Sequence, residues 1–79
     1  MSKNPISQIH QKRLDSISFY LRELRFSEGM TQSEISQEFK LHKNTICRVE
    51  NGMNFTLVTL FEIADLYDIP ISEILGDII

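Results

Sequence analysis

The stretch GMTQSEISQEFKLHKNTICRVENG, Gly29 to Gly52, punctuates two short helices and the tight turn between them. Gly29 supplies a left-handed stop for whatever precedes it, and Thr31 with Glu34 three residues on forms a capping box that opens the next helix. Ile35, Ser36 and Phe39 recur at helical spacing, so one stripe of that helix faces inward. A turn at Lys40 to His42 leads to a further helix from about Lys43 to Glu50. Its Ile46 and Val49 point in, and Lys43, Asn44, Cys47 and Arg48 point out. Asn51 and Gly52 end it, since glycine reaches a left-handed C-terminal conformation without strain.

Upstream, Asn4 followed by Pro5 reads as a helix start, with Asn as N-cap and Pro at the first helical position. Ile6, Ile9, His10, Leu14, Ile17, Tyr20, Leu21 and Leu24 then share one face, which predicts a first helix from about Pro5 to Ser27. At ~1.5 Å per residue such a helix outruns a small domain, so either its first turns project or it kinks near Asp15 and Ser16. Phe19 and Phe26 fall on its opposite face and hint at a second packing surface. Downstream, Thr56 caps a helix whose inward stripe is Leu57, Leu60, Ile63, Ala64 and Tyr67. Pro70 sets the next break, and Ile69, Ile71, Ile74 and Leu75 mark a short last helix ended by Gly76. Nothing alternates with period two over a useful length, so the chain reads as all-α with five helices.

Seventy-nine residues make one domain that buries only a little over ~60% of the surface its unfolded chain exposes, so stability is modest and self-association is in keeping with the size. Apolar content of 42% and charged content of 24% suit a globular protein. No apolar run approaches the ~18 residues a bilayer span needs, and the opening MSKNPISQ has neither signal-peptide nor transit-peptide character, which predicts a soluble, cytoplasmic protein with no membrane partner. One cysteine and two scattered histidines give neither an internal disulfide nor metal-ligand spacing, and no cofactor motif is present. The net charge of -3 runs against polyanion binding until its distribution is read. Residues 1 to 52 hold all eight Lys and Arg against six acids, a net of +2, whereas residues 53 to 79 hold five acids and no base.

The order of these residues resembles the phage repressor and Cro family, the XRE-type helix-turn-helix proteins. The likeness rests on Leu24-Arg25, on Gly29-Met30-Thr31-Gln32, on Glu50-Asn51-Gly52 and on the later apolar pattern, and it covers roughly Ile17 to Leu75. It implies a five-helix lambda-repressor-like domain over residues 17 to 79, with residues 1 to 16 as a helical extension. Three positions depart from the family pattern: Ser36 stands where Ala is usual, Lys40 where Gly is usual in the turn, and His42 where Ser or Thr usually caps the third helix.

The resemblance also implies roles. The third helix of such proteins enters the major groove of double-stranded DNA, which makes Lys43, Asn44, Cys47 and Arg48 the candidates for base contact. Their chemistry suits it: Arg or Lys can donate to guanine O6 and N7, and Asn can pair with adenine. A solvated polar helix face is the plainer alternative, and for Lys43 a phosphate contact. Cys47 can serve as a small side chain, a methyl contact or a redox group. Gln32, Thr45, Asn51 and Asn54 are the candidates for phosphate, Gln32 by likeness to the family's phosphate-contacting glutamine at a helix N-terminus. The same two asparagines are equally expected as turn residues. Arg25 and Glu50 match a structural ion pair of the family. Phe61, Ile71, Ile78 and Ile79 have no obvious place in so small a core and are the candidates for a homodimer interface through the fourth and fifth helices. The reading is therefore a sequence-specific transcriptional regulator, not an enzyme, acting as a homodimer on a short palindrome. The alternative is an antitoxin-like or anti-repressor module whose acidic C-terminal half binds a protein. A third reading keeps the fold without DNA.

Overall fold

The computed structural model describes residues 6 to 76, which form five helices: α1 (Gln8–Ser27), α2 (Gln32–Phe39), α3 (Lys43–Glu50), α4 (Leu57–Tyr67) and α5 (Ile71–Leu75). The fold is all-α, and no strand occurs among the described residues.

α1 begins later than its sequence suggests. Ser7 is the N-cap, its hydroxyl accepting the His10 N–H at 3.3 Å. Asn4 and Pro5 lie outside the described residues. The serine hydroxyl satisfies an orphan N–H at the start of the helix directly. The helix is unbroken for 20 residues, about 30 Å. Ile6, Ile9 and His10 are exposed rather than packed as their spacing predicted, although Gln11 in the first turn is half-buried.

The core draws on every helix. Ile17 and Leu21 of α1, Val49 of α3, Leu60, Ile63 and Ala64 of α4, and Ile74 of α5 form one buried cluster, and Tyr20, Leu24, Leu41, Phe55, Tyr67 and Ile69 pack around it. Ile35 of α2 and Ile46 of α3 are also buried. Each such side chain is worth roughly 1.5 to 3 kcal/mol of hydrophobic stabilisation. Leu57 departs from its predicted place: it is 57% exposed on the first turn of α4, while Phe55 in the preceding loop packs against the core instead. Ile71 also departs, because it is half-buried against the core cluster rather than spare.

The turns follow the backbone chemistry of their residues. Lys40 takes the left-handed conformation (φ 57°) in the place where glycine is usual, and the strain is offset by bonds from the Lys40 N–H to Gln37 O and from the Leu41 N–H to Ser36 O. The Ser36 hydroxyl donates to Leu41 O as well, so the residue that replaces Ala ties down the turn. Asp68 (φ 58°) ends α4 two residues before Pro70 in the same conformation, a stop the sequence pattern did not single out.

Tyr67 meets Phe39 edge to face, with centroids 4.8 Å apart. Burial, followed by the negative charge of Glu50, pushes its hydroxyl up to about 12. A raised folded value means the neutral phenol is the form the fold keeps. Its stabilising contribution is complete below pH 10 and is lost as pH rises from 10 toward 12. Chemical denaturation across that window should show Tyr67→Phe losing less stability than the parent chain, and identical slopes would place Tyr67 in water.

Candidate nucleic-acid interface

α2 and α3 meet at the Lys40–His42 turn, and α1 packs against α3 from behind. The capping box opens α2: the Thr31 side chain accepts the Glu34 N–H at 3.1 Å and Glu34 Oε1 accepts the Thr31 N–H at 2.9 Å. His42 opens α3 through Nδ1, which accepts the Asn44 N–H at 3.2 Å, so imidazole does here what Ser or Thr does elsewhere.

The inner face of α3 is fixed by Ile46, Val49 and Glu50, all buried. Glu50 is paired with Arg25: Nε lies 2.9 Å from Oε2 and 3.1 Å from Oε1, and Nη2 donates to Oε1 at 3.0 Å. Arg25 also donates to Met30 O at 2.7 Å and lies 4.7 Å from the centre of the Phe26 ring. Bonding to Glu50 holds the guanidinium above its usual range. The pair thus joins the end of α1, the Gly29–Thr31 turn and the end of α3.

The outer face of α3 is wet. Lys43, Asn44 and Arg48 are exposed and share it, with Asn44 and Arg48 one turn apart. Arg48 does not hang free, because its Nη2 donates to Asn54 O at 2.9 Å in the loop after α3. Thr45 is half-buried and lines, with Arg48, Asn54, Phe55, Thr56 and Thr59, a shallow groove of about 390 Å³. Asn51 and Asn54 are both exposed.

Cys47 differs from its outward prediction. It is half-buried, and its thiol donates to Gln32 Oε1 at 3.0 Å. Gln32 Nε2 donates in turn to Glu50 Oε1 at 3.1 Å. A carboxylate can only accept, so the amide orientation is fixed: nitrogen toward Glu50, oxygen toward Cys47. Gln32 keeps one N–H for another acceptor. The cause is angular: position 47 lies on the edge of α3 that faces the N-terminus of α2.

A stripe along α1 escaped the sequence reading. Gln11, Ser18 and Arg22 sit seven and four residues apart and bond to the end of α3. Ser18 donates to Val49 O and accepts the Gly52 N–H at 2.8 Å, Arg22 donates to Glu50 O, and Gln11 Nε2 donates to Gly52 O at 2.8 Å. Polar residues at that spacing on the flank of an apolar face were the available signal. Gly52 is buried with φ 74°, and a Cβ there would lie 2.5 Å from Asp15 Oδ1.

On α4, Phe61 is 45% exposed, in company with Leu57, Val58 and Leu66, which the sequence reading had not marked as surface. Ile78 and Ile79 lie outside the described residues. Among those described, no group of three His, Cys, Asp or Glu is placed to hold a metal ion, and no helix is long and apolar enough to cross a membrane.

A short helix held on its inner face, with a polar outer face, defines a helix-turn-helix unit. The helix-turn-helix family profile matches residues 21–74, and the chain belongs to that family, the XRE-type DNA-binding transcriptional regulators. Among solved structures it is similar to a tyrosine-to-phenylalanine mutant of the restriction-modification controller protein C.Esp1396I, at 21% identity and TM-score 0.69 over 94% of this chain and 90% of that one, a likeness of fold. No curated protein sequence matches it significantly.

Proposed function

We propose that this regulator is sequence-specific, that it reads the major groove with α3, and that it binds a short palindrome as a homodimer. The observation that carries the reading is the division of α3 into two faces. The inner face is locked by the Arg25–Glu50 pair, while the outer face presents Lys43, Asn44 and Arg48 to solvent. Asn44 and Arg48 are the base readers, Asn for adenine and Arg for guanine. Lys43 can serve a base or a phosphate. Cys47, half-buried, offers at most its edge to a base, and Gln32 offers its remaining N–H to a phosphate beside the α2 N-terminus. Thr45, Asn51 and Asn54 flank α3 where the DNA backbone would pass.

Selection of bound sequences from a random DNA pool tests this. The expected product is a palindrome with half-sites about 10 base pairs apart. Absence of enrichment even at low salt would overturn the reading, in favour of a protein partner on the acidic, partly apolar surface of α4, where Glu62 and Asp65 accompany Phe61.

The dimer is assigned to α4. Leu57, Val58 and Phe61 are between 45% and 63% exposed, an apolar patch on the first turns of α4, whereas Leu66 lies round the helix beside Phe39 of α2. A two-fold axis through the patch would be isologous, and binding a palindrome requires that it set the two α3 helices about 34 Å apart. Ile71 sits too close to the core to contribute more than its edge. Phe61→Asp should raise the dimer dissociation constant at least about tenfold, 1.4 kcal/mol, in sedimentation. An unchanged dimer would shift the interface to the exposed Phe19 and Phe26 of α1.

A further inference from the structure

α3 has only eight residues, so its last four carbonyls find no partner within the helix. The loop covers one of them: Arg48 O accepts from the Asn51 and Met53 N–H groups. α1 covers the next two through Ser18 and Arg22. Ser18 is 2% exposed and its bonds belong to the core. Gln11 is different. It lies a further two turns toward the start of α1, and the group of α3 or its loop that it bonds is the carbonyl of Gly52.

Both N–H groups of Gln11 are committed, one to Gly52 O at 2.8 Å and one to Asp15 Oδ1 at 3.0 Å, so the amide cannot turn. Two residues after Gly52, the Asn54 carbonyl accepts the Arg48 guanidinium at 2.9 Å. One loop therefore has Gln11 at its first carbonyl and Arg48 at its third. An arginine on a wet helix face loses much rotamer freedom when it docks on a base edge, and a fixed acceptor beside it removes part of that loss beforehand. We infer that Gln11 is a positioning residue for Arg48: it holds the Gly52 carbonyl, and so fixes the Asn54 carbonyl that aims the guanidinium. The start of α1 thus takes part in readout without touching DNA. The inference rests on Arg48 as a base reader.

Two measurements on Gln11→Ala test it. In the free protein, the Arg48 guanidinium N–H resonances should shift, and unmoved resonances overturn the coupling whatever the DNA shows. On DNA, the ratio of affinities for the selected site over scrambled sequence should fall about threefold to tenfold, the worth of one ordered long side chain. Gln11→Arg, which restores a donor to both acceptors, should recover the ratio; using a ratio cancels the added charge. Gln11→Ala should cost nothing further in an Arg48→Ala background, and additive losses overturn the inference. An equal fall on both DNAs also overturns it, since Gln11 would then be meeting phosphate itself. A shifted resonance with an unchanged ratio leaves the loop coupling standing, removes Arg48 from readout and takes the inference with it.

Discussion

Arg25→Ala should lower stability by roughly 3 kcal/mol, because removing one partner of a buried ion pair strands the other. Glu50 is 2% exposed, and after the substitution its carboxylate would keep a single side-chain donor, Gln32 Nε2. The loss goes beyond the pair. Arg25 also satisfies Met30 O in the turn that opens α2 and packs against the Phe26 ring, so the α1–α2 connection loosens together with the end of α3. For a domain of this size each kcal/mol moves the melting temperature by about 4 to 8 °C, so a fall of roughly 12 °C or more is expected in a thermal melt. A fall under about 2 °C, well below 1 kcal/mol, would mean that water reaches both groups.

The pair's value lies in geometry more than in net stability. Attraction between buried charges is largely cancelled by the cost of desolvating them, so an apolar double replacement, Arg25→Met with Glu50→Leu, should recover much of the lost stability. It should not recover DNA binding to the same degree. Gln32 would lose the acceptor that orients its amide, and α3 would lose its registration against α2. Melts and binding measured on the same double variant separate the two roles.

How legible these features were depended on how local their causes are. The capping box of Thr31 and Glu34, the positive φ of Gly29 and Gly52, and the inward stripe of Ile35, Ile46 and Val49 depend on neighbours three or four residues away, and the structure has them where periodicity and capping rules put them. The sequence offers two capping signals three residues apart at the start of α1, Asn4 and Ser7, and local rules do not choose between them; Ser7 caps α1 through its hydroxyl. Leu57 carried the right period but is exposed, while Phe55, two residues earlier in the loop, packs against the core; periodicity within a helix is blind to a loop residue that takes its place. The polar stripe on α1 was harder still. Gln11, Ser18 and Arg22 act across 28 to 41 residues of sequence, on backbone carbonyls that have no side-chain identity to search for. The Cys47–Gln32 bond was hidden for a different reason: it joins two side chains, but it depends on the rotation of α3 against α2 by a fraction of a turn.

Arg48→Ala should weaken binding to the selected site by roughly 1 to 3 kcal/mol and relax preference at one base position, because a bidentate contact to guanine would be lost. The side chain is exposed, and the bond to Asn54 O uses one of its five N–H groups, so two parallel donors remain for a base. Gln32→Ala should behave differently. In the proposed reading its one uncommitted N–H meets the DNA backbone rather than a base, so affinity should fall by a similar factor on every sequence and the preferred site should stay the same. The Glu50 carboxylate would also lose a donor, so a modest drop in melting temperature should accompany the Gln32 substitution and not the Arg48 one. Titrating both variants against the selected site and scrambled DNA at one salt concentration decides the assignment, since phosphate contacts vary with salt and would otherwise mimic a change in specificity. Equal losses on the two DNAs for Arg48→Ala would move Arg48 to the backbone-contacting group and leave Asn44 as the base reader of α3.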